Sequence, residues 1–132
     1  MNSTIIKIIA AIPGIPLLMN AVLFVVQPEK VTADLGMPLL EGLARSTQLA
    51  DLGALFTFGA ILVFYGVFKS EGHYLRIGAL LLGLIAVLSV IAWAINGAEF
   101  ATLLIITEVV LVIWLVVAGV YLDKSKQATG AE

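Results

Sequence analysis

A chain of 132 residues with 61% hydrophobic residues, 12% charged residues and a mean hydropathy of +1.12 lies far from soluble domains, where charged residues make up about 25%. The absence of cysteine excludes disulfides, thiolate metal sites and cysteine nucleophiles. A net charge of −2, with seven Lys and Arg and no basic stripe interleaved with aromatics, excludes a nucleic-acid partner.

The apolar residues gather into four runs, near 5–26, 43–68, 75–96 and 98–121. Each is long enough for the roughly 20 residues that carry a helix across a hydrocarbon core of about 30 Å. In lipid the backbone of each run must satisfy its own hydrogen bonds, and a barrel would need about 8 or more shorter, alternating strands. The expected fold is therefore all-α: an integral membrane four-helix bundle with a short outer helical loop. Residues 1–122 form one bundle and residues 123–132 a disordered cytoplasmic tail.

In the first run, Lys7 ahead of an apolar stretch imitates a secretory signal. The apolar character continues from Ala21 to Val26 with no small-x-small cleavage site, so the run reads as a retained helix. Within it, Ile12-Pro13-Gly14-Ile15-Pro16 must disturb the helix. Each proline lacks an amide donor and displaces the carbonyl four residues earlier, so the carbonyls of Ile9 and Ile12 need other partners. A kink is the ordinary outcome, and a broken helix lining a cavity is the functional one.

The connection from Gln27 to Gly42 is the longest. Pro28 to Gly36 predicts a short helix with proline in its first turn and glycine at its end, and Pro38 offers a second helix start. Leu35, Met37, Leu39, Leu40 and Leu43 suit a membrane interface, either as a lid or as a plain link between spans. The loop Lys69 to Tyr74 holds His73, which reads as solvated, because no second histidine or cysteine is present to complete a haem or metal site. Trp93 reads as an interface anchor, while Trp114 lies deeper, facing either lipid or the core. Small residues at Ala10 and Gly14, Gly59 and Gly66, Ala79 and Gly83, and Ala118 and Gly119 mark where helices can approach closely.

Lys7, Lys69, Arg76, Lys124 and Lys126 fall on one side of the four runs, against Lys30 and Arg45 on the other. The excess of basic residues on cytoplasmic loops places both termini in the cytoplasm of a multi-pass protein of the cell inner membrane. At about 1.5 Å per residue, Asn20 then lies about 9 Å, Asp51 about 12 Å and Glu108 about 15 Å from the outer surface. Thr47, Gln48 and Thr107 stand at compatible depths, and Arg45, Asn96 and Glu99 ring the outer mouth. The inner half is apolar, so the sequence predicts a pocket closed at its cytoplasmic end.

Helical phase puts Glu108 on one face with Ala101, Ile105, Val112, Leu115 and Gly119, and Glu99 on the opposite face. Asp51 and Glu108 are thus the acids of interest, expected to share a proton if they meet. The plainer reading makes them interhelical hydrogen-bond donors, each worth about 0.6 kcal/mol on average in membranes.

Several short motifs carry a family likeness: Pro28-Glu29 after the first span, Leu35-Gly36, Arg45 with Asp51-Leu52-Gly53, Arg76 with Gly78, Asn96-Gly97, and Glu108. With them the chain resembles the small four-helix membrane families that include DoxX-like proteins. The resemblance covers most of the chain and implies a single bundle in a bacterial inner membrane. Accessory roles in redox assemblies are connected with that family, but no cofactor ligand here carries them over.

The functional expectation is a non-enzymatic bundle whose outward-facing polar pocket binds an apolar or amphipathic small molecule or a partner subunit. Asn20, Gln48, Asp51 and Glu108 would be its ligand-binding residues, with no catalytic residue, metal or cofactor. The alternative is a small proton-linked transporter acting as a homo-oligomer. Membrane catalysis by the paired acids lacks any supporting triad or phosphate-binding loop.

Overall fold

The computed structural model describes residues 2–130 of the chain, the side chain of Thr129 excepted. Six helices follow in order: α1 (Ser3–Ala11), α2 (Gly14–Val26), α3 (Pro28–Asp34), α4 (Gly42–Lys69), α5 (Gly72–Asn96) and α6 (Thr102–Gly130). The described residues hold no strand, and the fold is all-α. Four stretches are long and apolar enough to cross a membrane: Ser3–Val26, spanning α1 and α2, then Gly42–Lys69, Gly72–Asn96 and Thr102–Ala128. Large apolar side chains lie open along these helices, with Leu103 77% and Ile113 59% exposed, which a water-soluble surface does not sustain on this scale. The chain is a multi-pass membrane protein.

Packing divides the chain into two compact units, Met1–Pro13 with Leu62–Glu132, and Gly14–Ile61.

In the first unit, α5 and α6 run antiparallel, and small residues let them approach. A Cβ added to Gly72 would fall on the carbonyl oxygen of Gly119, and one added to Gly119 would sit 2.8 Å from the carbonyl of Gly72. Further along, Gly78 faces Leu115 and Gly83 faces Val112. The buried stripe of α5, Leu75, Ala79, Leu82 and Ala86, has the 3–4-residue spacing of one helix face, and Leu115, Ala118 and Leu122 form its counterpart on α6.

At the close crossing, the Asp123 carboxylate accepts from the Gly72 amide at 2.7 Å and from Arg76 at 2.7 Å. Lys126 donates to Glu71 at 3.1 Å. Residues from Asp123 onward, expected as a disordered tail, are helical through Gly130, with one turn, Asp123 to Lys126, tied to the start of α5. Lys, Gln and Ala in this stretch are also good helix formers. Residues 131–132 lie outside the described residues.

The turn between α4 and α5 needs only Ser70 and Glu71, with Ser70 at φ 55. At the other end, Gly97 (φ 68) closes α5 in the left-handed conformation favoured by glycine. The fourth span consequently begins at Thr102 rather than at residue 98, and Trp93 packs edge-on against Phe100 in the connection at 5.2 Å. Glu99, expected on the helix, stands in that connection instead.

The first unit also resolves the proline break. Pro13 supplies no amide to Ile9, whose carbonyl accepts instead from Ile12 N–H at 3.3 Å and from the Trp114 indole N–H at 3.0 Å. Trp114 is thus neither plain core nor plain lipid contact, because its N–H replaces the donor that proline removes.

The second unit holds α2, α3 and the start of α4. Phe24 stacks on Phe56 at 5.6 Å, and Gly59 faces Leu17, so α2 and α4 pass antiparallel. The predicted loop helix is present as α3, with Pro28 in its first turn and Gly36 (φ 79) just past its end. Thr32 is buried and donates back to the carbonyl of Pro28 at 2.8 Å. No helix starts at Pro38, and residues 37–41 stay irregular until α4 begins at Gly42.

Replacing Trp114 with Phe keeps a ring and deletes the donor to Ile9, and should cost about 1 kcal/mol in unfolding free energy. In a Pro13→Ala background the restored amide can bond Ile9 itself, so the same replacement should there cost little. Unfolding of the four proteins of this cycle in detergent measures the coupling, and an unchanged Trp114→Phe effect would contradict it.

Candidate functional site

Gln48 is buried on α4, and both ends of its amide are held by main chain. Its Nε2 donates to the carbonyl of Pro38 at 2.9 Å, and its Oε1 accepts from Leu40 N–H at 2.9 Å. The Arg45 Nε donates to the carbonyl of Leu40 at 2.6 Å. These three bonds hold the irregular segment ahead of α4 against the first turns of that helix. Arg45, expected at the pocket mouth, is exposed and turns back onto the segment before its own helix.

The stapled segment and α4 enclose an open pocket of about 700 Å3. Met37, Pro38, Leu40, Leu43 and Leu52 supply apolar wall, and Thr47, Gln48 and Asp51 the polar groups. Asp51 follows Thr47 by four residues and Gln48 by three, so one helical face presents all of them. The Thr47 hydroxyl donates back to Leu43 at 3.4 Å. Asp51 makes no hydrogen bond or ion pair among the described residues, and its side chain lines the pocket. It is the polar group here left without a structural task.

Asn20 lies part-buried on α2 and does not line this pocket. Asn96 ends α5 and Glu99 follows it, both exposed. Of the predicted binding residues, the second unit therefore brings together Gln48 and Asp51.

Glu108 belongs to the first unit. It lies part-buried on the protected face of α6 that continues through Leu115 and Leu122, as its helical phase predicts. The antiparallel register from Gly78 and Leu115 to Gly83 and Val112 carries it toward the level of Ala86 on α5. Its Oε2 is buried without a hydrogen-bond partner among the described residues.

Leu40 and Pro38 matter here through backbone groups, which no residue pattern advertises. A second apolar feature, a groove along α1 and α6, likewise has no motif in the sequence. Comparisons with protein families, characterised proteins and solved structures find no match to this chain.

Gln48→Leu removes two hydrogen bonds and orphans a backbone donor and acceptor, and should lower stability by about 2–3 kcal/mol. Asp51→Asn, at a side chain with no partner among the described residues, should stay within about 0.5 kcal/mol of the parent. Thermal unfolding in detergent compares them, and equal losses would contradict this division of labour.

Proposed function

We propose that this protein is a non-enzymatic membrane component that binds an amphipathic small molecule in the pocket of its second unit. The polar end of the ligand is held at Asp51, beside Thr47 and Gln48, and its apolar part lies against Met37, Leu40, Leu43 and Leu52. One observation carries the reading: Asp51 opens into an apolar-walled pocket with no partner among the described residues, while neighbouring Gln48 and Arg45 are engaged by main chain. A volume of about 700 Å3 falls within the roughly 300–1,000 Å3 of small-molecule sites. A lone carboxyl group in such walls selects a cationic or hydrogen-bond-donating head.

The same proposal places the protein in a bacterial inner membrane with both termini in the cytoplasm, in keeping with the DoxX-like resemblance. Support comes from the first unit, where Lys69, Arg76 and Lys126 gather at the end at which α4 turns into α5 and meets the end of α6. A second reading, a proton-linked transporter working as a homo-oligomer, is favoured by the unpartnered Glu108 Oε2 on an apolar helix. Proton movement on substrate addition to protein-containing vesicles, lost in Glu108→Gln, would select it.

Titration of the detergent-purified protein with dodecylamine and with dodecanoic acid tests the first reading. The amine should bind at least tenfold more tightly than the acid, and Asp51→Asn should remove about 1.5–3 kcal/mol from amine binding. Indifference to the head group, or unaltered binding by Asp51→Asn, would remove Asp51 from the site.

A further inference from the structure

Along the first unit, α1 and α6 leave an open apolar groove of about 490 Å3, walled by residues that include Ile6, Ile9, Val110, Trp114 and Tyr121. From Val110 to Tyr121 the groove follows twelve residues of α6, eleven steps that rise roughly 16 Å at about 1.5 Å each. That length is about half of a 30 Å hydrocarbon core, the depth of one leaflet. Apolar walls running the depth of one leaflet match an extended hydrocarbon chain.

Its charged end names the head group. The Lys124 ammonium sits 5.7 Å from the centre of the Tyr121 ring that closes the groove. Among the described residues Lys124 has no acidic partner, in contrast to Arg76 with Asp123 and Lys126 with Glu71 on the same unit. A cation next to an aromatic ring at the end of an apolar stem is the arrangement that meets lipid phosphates at a membrane surface. The groove wall is also fixed in place, because the Trp114 indole is held by its bond to the Ile9 carbonyl.

We propose that this groove is a binding site for an anionic phospholipid, one acyl chain lying between α1 and α6 and the phosphate meeting Lys124. It is separate from the Asp51 pocket and stands or falls without it.

The chain has two tryptophans, so Trp93→Phe leaves Trp114 as the sole indole, inside the groove. This protein is reconstituted in phosphatidylcholine vesicles carrying a small, equal fraction of lipid with dibrominated chains, either phosphatidylglycerol or phosphatidylcholine. Brominated phosphatidylglycerol should occupy the groove about fivefold more favourably, the equivalent of roughly 1 kcal/mol for one lysine at an anionic surface, and so quench Trp114 fluorescence more. Adding Lys124→Gln should bring the two lipids level. Equal quenching by both lipids in the Lys124 protein would overturn the proposal. So would persistence of the phosphatidylglycerol preference in Lys124→Gln, or protection of Trp114 from both lipids that grows with protein density, the sign of a second copy in the groove.

Discussion

A backbone carbonyl or amide in hydrocarbon has no water to turn to, and this constraint gives several of the protein's polar side chains their task. At three interruptions a side chain from elsewhere supplies the missing partner. At Pro13 the freed Ile9 carbonyl takes the Trp114 indole N–H. At the start of α5 the Gly72 amide is taken by Asp123. Ahead of α4 the Pro38 and Leu40 groups are taken by Gln48 and Arg45. Each bond contributes about 0.5–1.5 kcal/mol, and the larger effect is the avoided penalty of leaving a group unsatisfied.

The same bonds fix tertiary structure. Asp123 reaches Gly72 only because neither Gly72 nor Gly119 carries a Cβ, so close approach, amide cap and the Arg76 ion pair form one joint between α5 and α6. Glycine is required there by space rather than by backbone conformation. Trp114 similarly joins α1 to α6 and sets one wall of the groove beside them.

The four apolar runs, the helix at Pro28, the Gly97 turn and the protected face of Glu108 were legible in the sequence, because each rests on length, local turn chemistry or helical periodicity. The unmet Ile9 carbonyl was legible as a need, but its donor lies 105 residues away and no local pattern points to it. The irregular segment at Pro38 was hidden for the same reason, since proline favours a start and the bonds from Gln48 come from ten residues further on. The helical end beyond Asp123 was hidden because its charged residues look solvated until paired with Glu71 and Arg76. Depth alone placed Asn20, Gln48, Asp51 and Glu108 together, and depth does not distinguish a side chain that repairs backbone from one that is unoccupied.

Once the repairing residues are set aside, Asp51 is a carboxyl group that makes no hydrogen bond or ion pair among the described residues and faces a pocket with apolar walls. Its place on α4, one turn past residues locked by main chain, gives a rigid support to a group free to meet a ligand. Native mass spectrometry of the parent and of Asp51→Asn, purified in the same mild detergent, bears on this most directly. The parent should carry a defined non-phospholipid mass that Asp51→Asn lacks, with both proteins folded. The same retained mass on both, or no such mass on the parent, would contradict a ligand site at Asp51.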